Sequence, residues 1–431
     1  MYYPAQDSLW IKLWQDMVWG TLRGIPKTRN VYEERANGKQ SSVARKMWLK
    51  LLRSSAARGK RHIKTEKLSS SLFIGAQARN AERVPFVDEQ ENNLLLSFWP
   101  LVSPIYVPRV VTADGKTEVK GYVLAVPEPC HLEHFLPDVE QFLANLPTEP
   151  AGYLPRASLV DLPEEGGLEY LHSIVQHRAR QTDFAFSVSG VELYHLEKQG
   201  KNTRILSSGR ILPDPVALDQ YGLLRKSCDN PLYKSQRIHN LLVGGPWYDG
   251  MDGVFSEHPW EFFVQTPGKT PRTPPFFAWD AKRAFHSIEE ELKLQKGGAM
   301  TPENGSDDKL ARRVYQLTRA YVMHRTEDKA GLSWKAFIES TRQEDASKYR
   351  EVNAKVCSDA FLAMRGRRDA DFVEYFTGTI CSVPQYLPED EFLGVSAALM
   401  SDWQKVKTLS MLALSAHSQL PTPGALKGDK E

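Results

Sequence analysis

Residues 184–212 read FAFSVSGVELYHLEKQGKNTRILSSGRIL, and this segment gives the clearest indication of β structure in the chain. It is rich in Val, Phe, Tyr and Ile, and the polar segment Gln199-Gly200-Lys201-Asn202 divides it into two runs. Aromatic and β-branched runs on either side of a short glycine-containing segment are typical of an antiparallel hairpin. We therefore predict strands from Phe184 to Leu196 and from Arg204 to Leu212.

A second β region precedes this hairpin, between residues 94 and 126. Its runs LLLSFWPLVSPIYVPRVV and TEVKGYVLAV are joined by Asp114-Gly115, a dipeptide suited to a tight turn. Three prolines in the first run cannot donate ladder hydrogen bonds, so we expect that run to be broken, bulged or at a sheet edge. These prolines are Pro100, Pro104 and Pro108. A further short strand is predicted in RASLVDL, residues 156–162.

Helical patterns surround the β regions and fill the C-terminal part of the chain. The interval 244–275 is dense in Gly, Pro and Trp and is predicted to be a loop. From Leu310 to Ser418 only helical patterns remain, which predicts a bundle of four or five helices. Breaks are expected near Gly331, Glu344, Gly366 and Pro384 to Pro388. Other helices are predicted over 8–24, 41–57, 131–145, 166–180, 215–228, 231–242 and 280–296.

This order of elements predicts an α+β protein, with a mixed α/β N-terminal region containing antiparallel hairpins and an all-helical C-terminal bundle. A chain of 431 residues exceeds the size of one ordinary core. We expect a basic helical region over 1–90, a mixed α/β domain over 91–280 and a helical bundle over 281–431.

Positive charge is concentrated near the N-terminus. The net charge is +2, yet residues 23–67 hold fourteen Lys or Arg against three Glu, a local charge of +11 that leaves −9 for the rest. A predicted amphipathic helix over 41–57 carries part of this charge, and a basic link over 58–71 continues it. A string of cations along a surface suits a polyanion backbone. An acidic protein partner and a membrane surface remain alternatives.

Several function classes lose support from the sequence. No apolar run reaches the length of a membrane span and no signal peptide is recognised, so we expect a soluble cytoplasmic protein. No phosphate-binding loop and no Gly-x-Ser-x-Gly elbow occurs. The four cysteines are widely separated and are expected to be buried, reduced thiols. Cys130, His131 and His134 form the tightest possible metal cluster but lack an identifiable remote ligand, so no metal, other cofactor or catalytic residue is predicted.

The chain contains the segments WIKLWQDMVWGTLRGIP, SSVARKMWLKLL, SLFIGAQARNAERVPF, FWPLVSPIYVPRVV, GYVLAVPE and RASLVDLPEEGGLEYLH. In these segments it resembles a known family, the large subunits of type I CRISPR-associated surveillance complexes (Cascade), in particular the MYXAN subtype. The resemblance implies that the C-terminal helical bundle is similar to a separate small subunit. The resemblance covers about the first 175 residues, and family members carry additional residues before the first helix, so the chain is expected to be N-terminally short.

The resemblance implies a non-catalytic subunit of an antiviral ribonucleoprotein complex. Such a subunit contacts the 5′ end of the CRISPR guide RNA, recognises the short motif beside the target in double-stranded DNA and helps to open the duplex. Its implied partners are guide RNA, target DNA and other Cascade backbone subunits, with a helicase-nuclease or transposition proteins recruited later and no membrane. Alternatives are a metal-dependent nuclease using His131 and His134, and a protein scaffold with a basic docking surface.

Candidate nucleic-acid contacts fall into three groups. The first lies in the basic segment, the second consists of polar positions in or before the first β region, and the third is a set of arginines on the first bundle helix. The predicted contacts are Arg45, Lys46, Lys50, Arg53, Arg58, Lys60, Arg61 and Lys64; Asn92, Asn93, Arg109, Lys116 and Lys120; and Arg312, Arg313, Arg319 and Arg325.

Lys296-Gly297-Gly298-Ala299-Met300 suggests a second translation product. These residues can be encoded by a purine-rich ribosome-binding sequence directly upstream of a start codon. We therefore hypothesise that Met300 starts a free copy of the helical bundle.

Overall fold

The chain forms two compact units in a computed structural model. One unit comprises residues 1–110 and 118–222, and the other comprises 111–117 and 223–431; we call them the sheet unit and the helical unit. The three-part division from the sequence stays a prediction. The structure describes residues 9–10, 13, 49, 65–68, 86–89, 102–112, 114–178, 186–199, 202–265, 277–294, 304–339, 343–383 and 387–420.

The sheet unit is built on a six-stranded sheet. Its strands follow the order β10-β9-β5-β3-β4, and β8 pairs with β3 in parallel. The strands are β3 (Ile105–Val111), β4 (Thr117–Val119), β5 (Tyr122–Pro129), β8 (Leu159–Val160), β9 (Val188–Gln199) and β10 (Asn202–Ile211). Two small antiparallel sheets pair β1 (Thr65–Leu68) with β2 (Phe86–Glu89) and β6 (Pro150–Ala151) with β7 (Leu154–Pro155).

The central hairpin of the sequence is confirmed as β9 and β10. The two strands pair from Gln199 opposite Asn202 to Val191 opposite Ile211, with a register shift between Ile205 and Ser207. Strand β9 also pairs along its length with β5, so the hairpin is joined to the first β region in one antiparallel sheet. The predicted α+β class is therefore confirmed for this half of the chain.

The first β region is interrupted at Pro108, one of the three prolines expected to break its pairing. Pro108 lies inside β3, whose antiparallel pairing with β5 involves Ile105 and Tyr106 and whose parallel pairing with β8 involves Val107 and Pro108. The turn after β3 is closed by a hydrogen bond from Thr112 N to Lys116 O of 2.9 Å. The prediction for RASLVDL was only partly right: residues 156–158 form a 3-10 turn, because the Ser158 hydroxyl donates locally to Pro155 O.

Two helices cover the sheet unit, α1 (Leu132–Ala144) and α2 (Glu165–Arg178), both predicted from the sequence. The start of α2 lies very close to the sheet, which explains its two glycines. A Cβ added at Gly166 would lie 2.9 Å from Tyr106 Cδ2, and one at Gly167 would lie 2.8 Å from Ile211 Cγ1. Only glycine permits this approach without a shift.

The helical unit contains most of the remaining helices, and α3 begins in the sheet unit. The helices are α3 (Pro215–Ser227), α4 (Pro231–Val243), α5 (Met251–Glu257), α6 (Ala278–Leu294), α7 (Asn304–Ala330), α8 (Trp334–Glu339), α9 (Gln343–Arg365), α10 (Asp369–Tyr375), α11 (Glu389–Ser401) and α12 (Trp403–His417). A π-helical turn, Phe376–Ile380, follows α10.

Two predictions for this region were wrong in detail. The interval 244–275 was predicted to be a loop, but it contains α5, because Met251 and Phe255 share one buried helical face. The described part of 304–418 holds six α-helices rather than four or five. The additional boundary lies at Asp402, whose side chain accepts from Lys405 N and caps α12.

The core of the helical unit surrounds α12. Val406, Leu409, Leu412 and Ala416 are fully buried in it. A second part of the same core is an aromatic cluster in which Phe263 lies edge-to-face against Phe255, Phe277 packs on both, and Phe361 joins them. These packed rings join α5 and the start of α6 to α9.

Candidate nucleic-acid interface

The contacts predicted in the basic segment lie outside the described residues. The same holds for the two asparagines before the first β region. These residues are Arg45, Lys46, Lys50, Arg53, Arg58, Lys60, Arg61, Lys64, Asn92 and Asn93. Within the predicted helix over 41–57, Leu49 is described, and it is helical and exposed.

The three cations predicted in the first β region have different surroundings. The Arg109 guanidinium lies 2.5 Å from Asp161, whose side chain is buried. Lys116 lies 2.8 Å from Asp114 across the turn, and hydrogen bonds from Lys116 and Thr112 lower the pKa of Asp114 to about 2. Lys120 is exposed beside the sheet, where its carbonyl oxygen accepts from His195 Nε2 at 2.7 Å.

The four arginines of α7 do not form one surface. Arg312 Nη2 lies 2.7 Å from Glu391 Oε1, and Arg313 Nε lies 3.7 Å from Glu391 Oε2, so both join α7 to α11. Arg319 and Arg325 are exposed, and the Arg325 guanidinium lies 5.9 Å from the centre of the Tyr321 ring. Of the four arginines, Arg319 and Arg325 are therefore the exposed ones without a described ion pair.

Arg319 lines a cavity of about 250 Å³ in the helical unit, which we call the cationic pocket. Its walls come from α6, α7, α8, α9 and the end of α12. On α7 the lining residues are Tyr315, Arg319, Val322 and Met323, a spacing that places them on one helical face. The other lining residues are Lys282, His286, Glu289, Trp334, Tyr349, Asn353, Ala416, His417, Gln419 and Leu420.

The electrostatics of the cationic pocket favour an anion. Burial lowers the pKa of Lys282, and the nearby Arg319 charge lowers it further. Burial also lowers the pKa of His417 to about 3, with smaller contributions from the charges of Arg319, Lys282 and His286. Within the part of the chain that the structure describes, neither Lys282 nor Arg319 forms an ion pair with a carboxylate. Repulsion among these groups leaves a positive potential that an anionic ligand would neutralise.

Two protein-family models together match almost the whole chain. Residues 1–184 match the type I-B CRISPR Cas8b N-terminal domain, and residues 188–417 match the type I-B CRISPR Cas8b C-terminal domain. The chain belongs to the Cas8b family. It is therefore a large subunit of a type I Cascade complex, a family role that implies association with other Cascade components and CRISPR RNA. No curated protein matches the chain.

The boundary between the two Cas8b domains falls directly before β9. The N-terminal domain match thus takes in β1 to β8 with α1 and α2, while the C-terminal domain match begins with the hairpin and continues through the helical unit. The residues that line the cationic pocket lie within the Cas8b C-terminal match, except Gln419 and Leu420, which follow its last matched residue closely. Among the described residues, no helix is long and apolar enough to cross a membrane.

The sequence analysis singled out Cys130, His131 and His134 as a possible metal cluster. In this Cas8b chain these residues belong to a local hydrogen-bonded structure. Cys130 Sγ donates to Phe186 O at 3.2 Å, and the rings of His131 and His134 are 6.1 Å apart, edge to face. Over the described ranges, no three His, Cys, Asp or Glu side chains are grouped closely enough to hold a metal ion. The expectation of buried thiols is confirmed for Cys357, whereas Cys228 and Cys381 are half-buried and Cys130 is exposed at the end of β5.

Sequence reasoning missed most of the cationic pocket. Lys282, His286 and Glu289 recur at helical spacing on α6, which was a usable signal for a polar face. Trp334 and His417 gave no such signal, because their proximity depends on how α8 and the end of α12 pack in the bundle.

Proposed function

We propose that this large subunit binds the 5′ end of the guide RNA and the target DNA beside the protospacer, where it recognises the target-adjacent motif and helps to open the duplex. The observation that carries the proposal is the charge of +11 over residues 23–67 in a chain whose remaining charge is −9. A family of RNA-guided complexes needs protein contacts mainly to nucleic-acid backbones, because pairing by the guide reads the sequence.

The described residues add a second cationic surface. Arg319 and Arg325 are exposed on α7, and Lys282 joins Arg319 at the cationic pocket. We assign these groups to a single strand of target DNA, while Arg312 and Arg313 stabilise the bundle through Glu391.

Motif recognition is assigned to the first β region. Lys120 is exposed beside the sheet, and the Asp114–Lys116 ion pair stiffens the adjacent turn. Lysine or arginine donating to guanine in the major groove is a common way to read a base. Replacing Lys120 by Ala should then weaken binding to targets with the correct motif more than binding to targets without it.

The subunit is proposed to act by binding and not by catalysis. The family role of a Cascade large subunit supports this proposal. The backbone N–H groups of Cys130 and His131 both donate to Ser187 O, a structural contact at the start of α1. We also propose the MYXAN subtype within the family on the phrases of the first 175 residues, and cytoplasmic action on guide RNA and invading DNA.

The test is the salt dependence of nucleic-acid binding by the full chain. Replacing Arg45, Lys46, Lys50 and Arg53 by Glu removes four proposed phosphate contacts and should reduce the slope of log K against log salt by about 3 to 4. The matched control replaces four exposed lysines of the helical unit by Glu: Lys329, Lys335, Lys348 and Lys355.

The control should change the slope by less than about 1, because those lysines lie outside the proposed contacts. Equal slopes for the two variants would show that the basic segment acts only through net charge. Binding that is indifferent to salt would contradict the proposal altogether.

A further inference from the structure

The cationic pocket has a charged side and an aromatic side. Lys282 and Arg319 form the charged side, and the aromatic side includes Trp334 and Tyr349. Its volume of about 250 Å³ is just below the roughly 300–1,000 Å³ of ordinary small-molecule sites. This size suits one nucleotide unit and excludes a duplex.

The aromatic side is rigid. Tyr349 is fully buried and stacks on Phe337 with ring centres 4.5 Å apart, and Trp334 lies 6.2 Å from Tyr349. The backbone N–H of Trp334 donates to Glu327 Oε1 at 2.6 Å, which fixes the start of α8. Preformed aromatic surfaces of this kind bind unstacked bases at little cost in side-chain entropy.

The opposite wall is also ordered by stacking. The Tyr315 ring stacks on Phe285 and on His417, with ring centres 4.5 Å and 4.2 Å apart, respectively. His417 Nε2 lies 3.1 Å from Tyr315 O, and Asn353 Nδ2 donates to His417 O at 2.9 Å. The imidazole is therefore neutral and fixed at neutral pH, and it supplies a flat surface without adding a charge.

The cations of the pocket are positioned without being neutralised. Lys282 Nζ donates to Gln419 O at 3.1 Å and lies 5.1 Å from the Trp279 ring, contacts that orient the ammonium and leave its charge uncompensated. Arg319 is exposed at the pocket on α7. Glu289 is the carboxylate among the lining residues, so the cations outnumber it.

We propose that the cationic pocket accepts one unstacked nucleotide of a single-stranded nucleic acid, with its base against Trp334 and its phosphate against Arg319 and Lys282. This inference rests on the proposed nucleic-acid-binding function. A bare phosphate would use only the cations, and an uncharged aromatic compound only the rings; a nucleotide uses both. A single strand supplies such a nucleotide because its bases can turn out of the stack.

The first experiment measures binding of the full chain to a short single-stranded DNA that carries one photoreactive 5-iodouracil. Crosslinking followed by mass spectrometry should locate the base on Trp334, which is the partly exposed ring of the aromatic side. Arg319→Glu should weaken binding about tenfold and abolish the crosslink, since a charge-assisted contact to phosphate is lost. Lys329→Glu, an equal charge change on an exposed part of the same helix, should leave binding within about twofold and retain the crosslink.

The second experiment compares adenosine monophosphate with inorganic phosphate by calorimetry on the full chain. The monophosphate should bind more tightly, and Trp334→Leu, which keeps much of the side-chain volume, should reduce its affinity toward that of phosphate. Equal affinities of the two ligands in the wild-type chain would overturn the role of the aromatic side. Thermal melting of each variant separates loss of binding from loss of folding.

The outcomes distinguish the pocket from the proposed function. Single-stranded DNA that binds equally to the wild type and to Arg319→Glu, with crosslinks elsewhere, overturns the pocket and leaves the proposed function standing. A wild-type chain that binds neither guide RNA nor DNA overturns the proposed function. If adenosine monophosphate binds but single-stranded DNA gives no crosslink in the pocket, the pocket takes a free nucleotide. The proposal that a single strand supplies the nucleotide is then overturned.

Discussion

Replacing Arg312 by Gln is expected to destabilise the helical unit and to leave nucleic-acid binding unchanged, although the sequence places Arg312 among the phosphate contacts. Its Nη2 lies 2.7 Å from Glu391 Oε1, and the two side chains are only 24% and 19% exposed. Arg313 shares the same carboxylate at 3.7 Å. One glutamate of α11 thus pairs with two arginines of α7.

The magnitude follows from this geometry. Breaking a fully buried ion pair costs about 3–5 kcal/mol, whereas an exposed pair contributes about 0–1 kcal/mol. The Arg312–Glu391 pair is mostly buried, but Glu391 keeps Arg313 as a partner after the substitution. We therefore expect a loss of about 1–2 kcal/mol, or a fall of roughly 2–8 °C in Tm for a unit of this size.

Urea denaturation and salt-dependent DNA binding together test this assignment. Arg319→Gln is the matched control: it lies on the same helix, is exposed, and should weaken binding while changing stability by less than about 0.5 kcal/mol. Glu391→Gln combined with Arg312→Gln completes a double-mutant cycle whose coupling energy isolates the pair. A fully stable Arg312→Gln variant that binds DNA as weakly as Arg319→Gln would refute the reasoning.

Three further predictions concern packing, pH and translation. Gly167→Ala should destabilise the sheet unit by about 1–3 kcal/mol in urea denaturation, because its Cβ would meet Ile211, whereas Gly253→Ala, with open space around it, should not. Because the folded pKa of His417 is depressed to about 3, its contribution to stability is complete above the unfolded pKa and is lost as pH falls from about 6.5 toward 3. Wild type should lose roughly 2 kcal/mol more than His417→Gln between pH 7 and 5, and equal losses would contradict this. Synonymous changes to the glycine codons before Met300 should remove a C-terminal fragment from immunoblots, and an unchanged fragment or none would argue against an internal start.

Local signals made the strands and most helices predictable. The hairpin of β9 and β10 followed from its aromatic and β-branched runs, and the broken pairing of β3 followed from Pro108, which lacks a donor. The Gly166-Gly167 pair correctly marked the start of α2. Its reason, the close approach to Tyr106 and Ile211, required the tertiary structure.

Helix boundaries that depend on burial were harder to predict. Helix α5 lies in a Gly- and Pro-rich interval, and its residues are helical because Met251 and Phe255 pack into the aromatic core. The break at Asp402 is a single capped residue between two helices, so it left almost no interruption in the periodicity.

The candidate site was predictable in chemistry and only partly in geometry. Lys and Arg composition indicated a polyanion partner, but composition cannot separate an arginine with a carboxylate partner from one without. Glu391 lies far along the chain from Arg312 and Arg313, so their ion pairs were invisible in the sequence. The cationic pocket likewise depends on the packing of α6 and α7 against the end of α12.

The most direct test of the central claim is to purify the chain from its native host and to sequence the RNA that accompanies it. A Cascade large subunit that contacts the guide should bring down uniform short RNAs with a shared 5′ end. Replacing Arg45, Lys46, Lys50 and Arg53 by Glu should reduce the amount of this RNA relative to the four-lysine control variant. Purification without RNA, or with RNA of random length and sequence, would contradict the account.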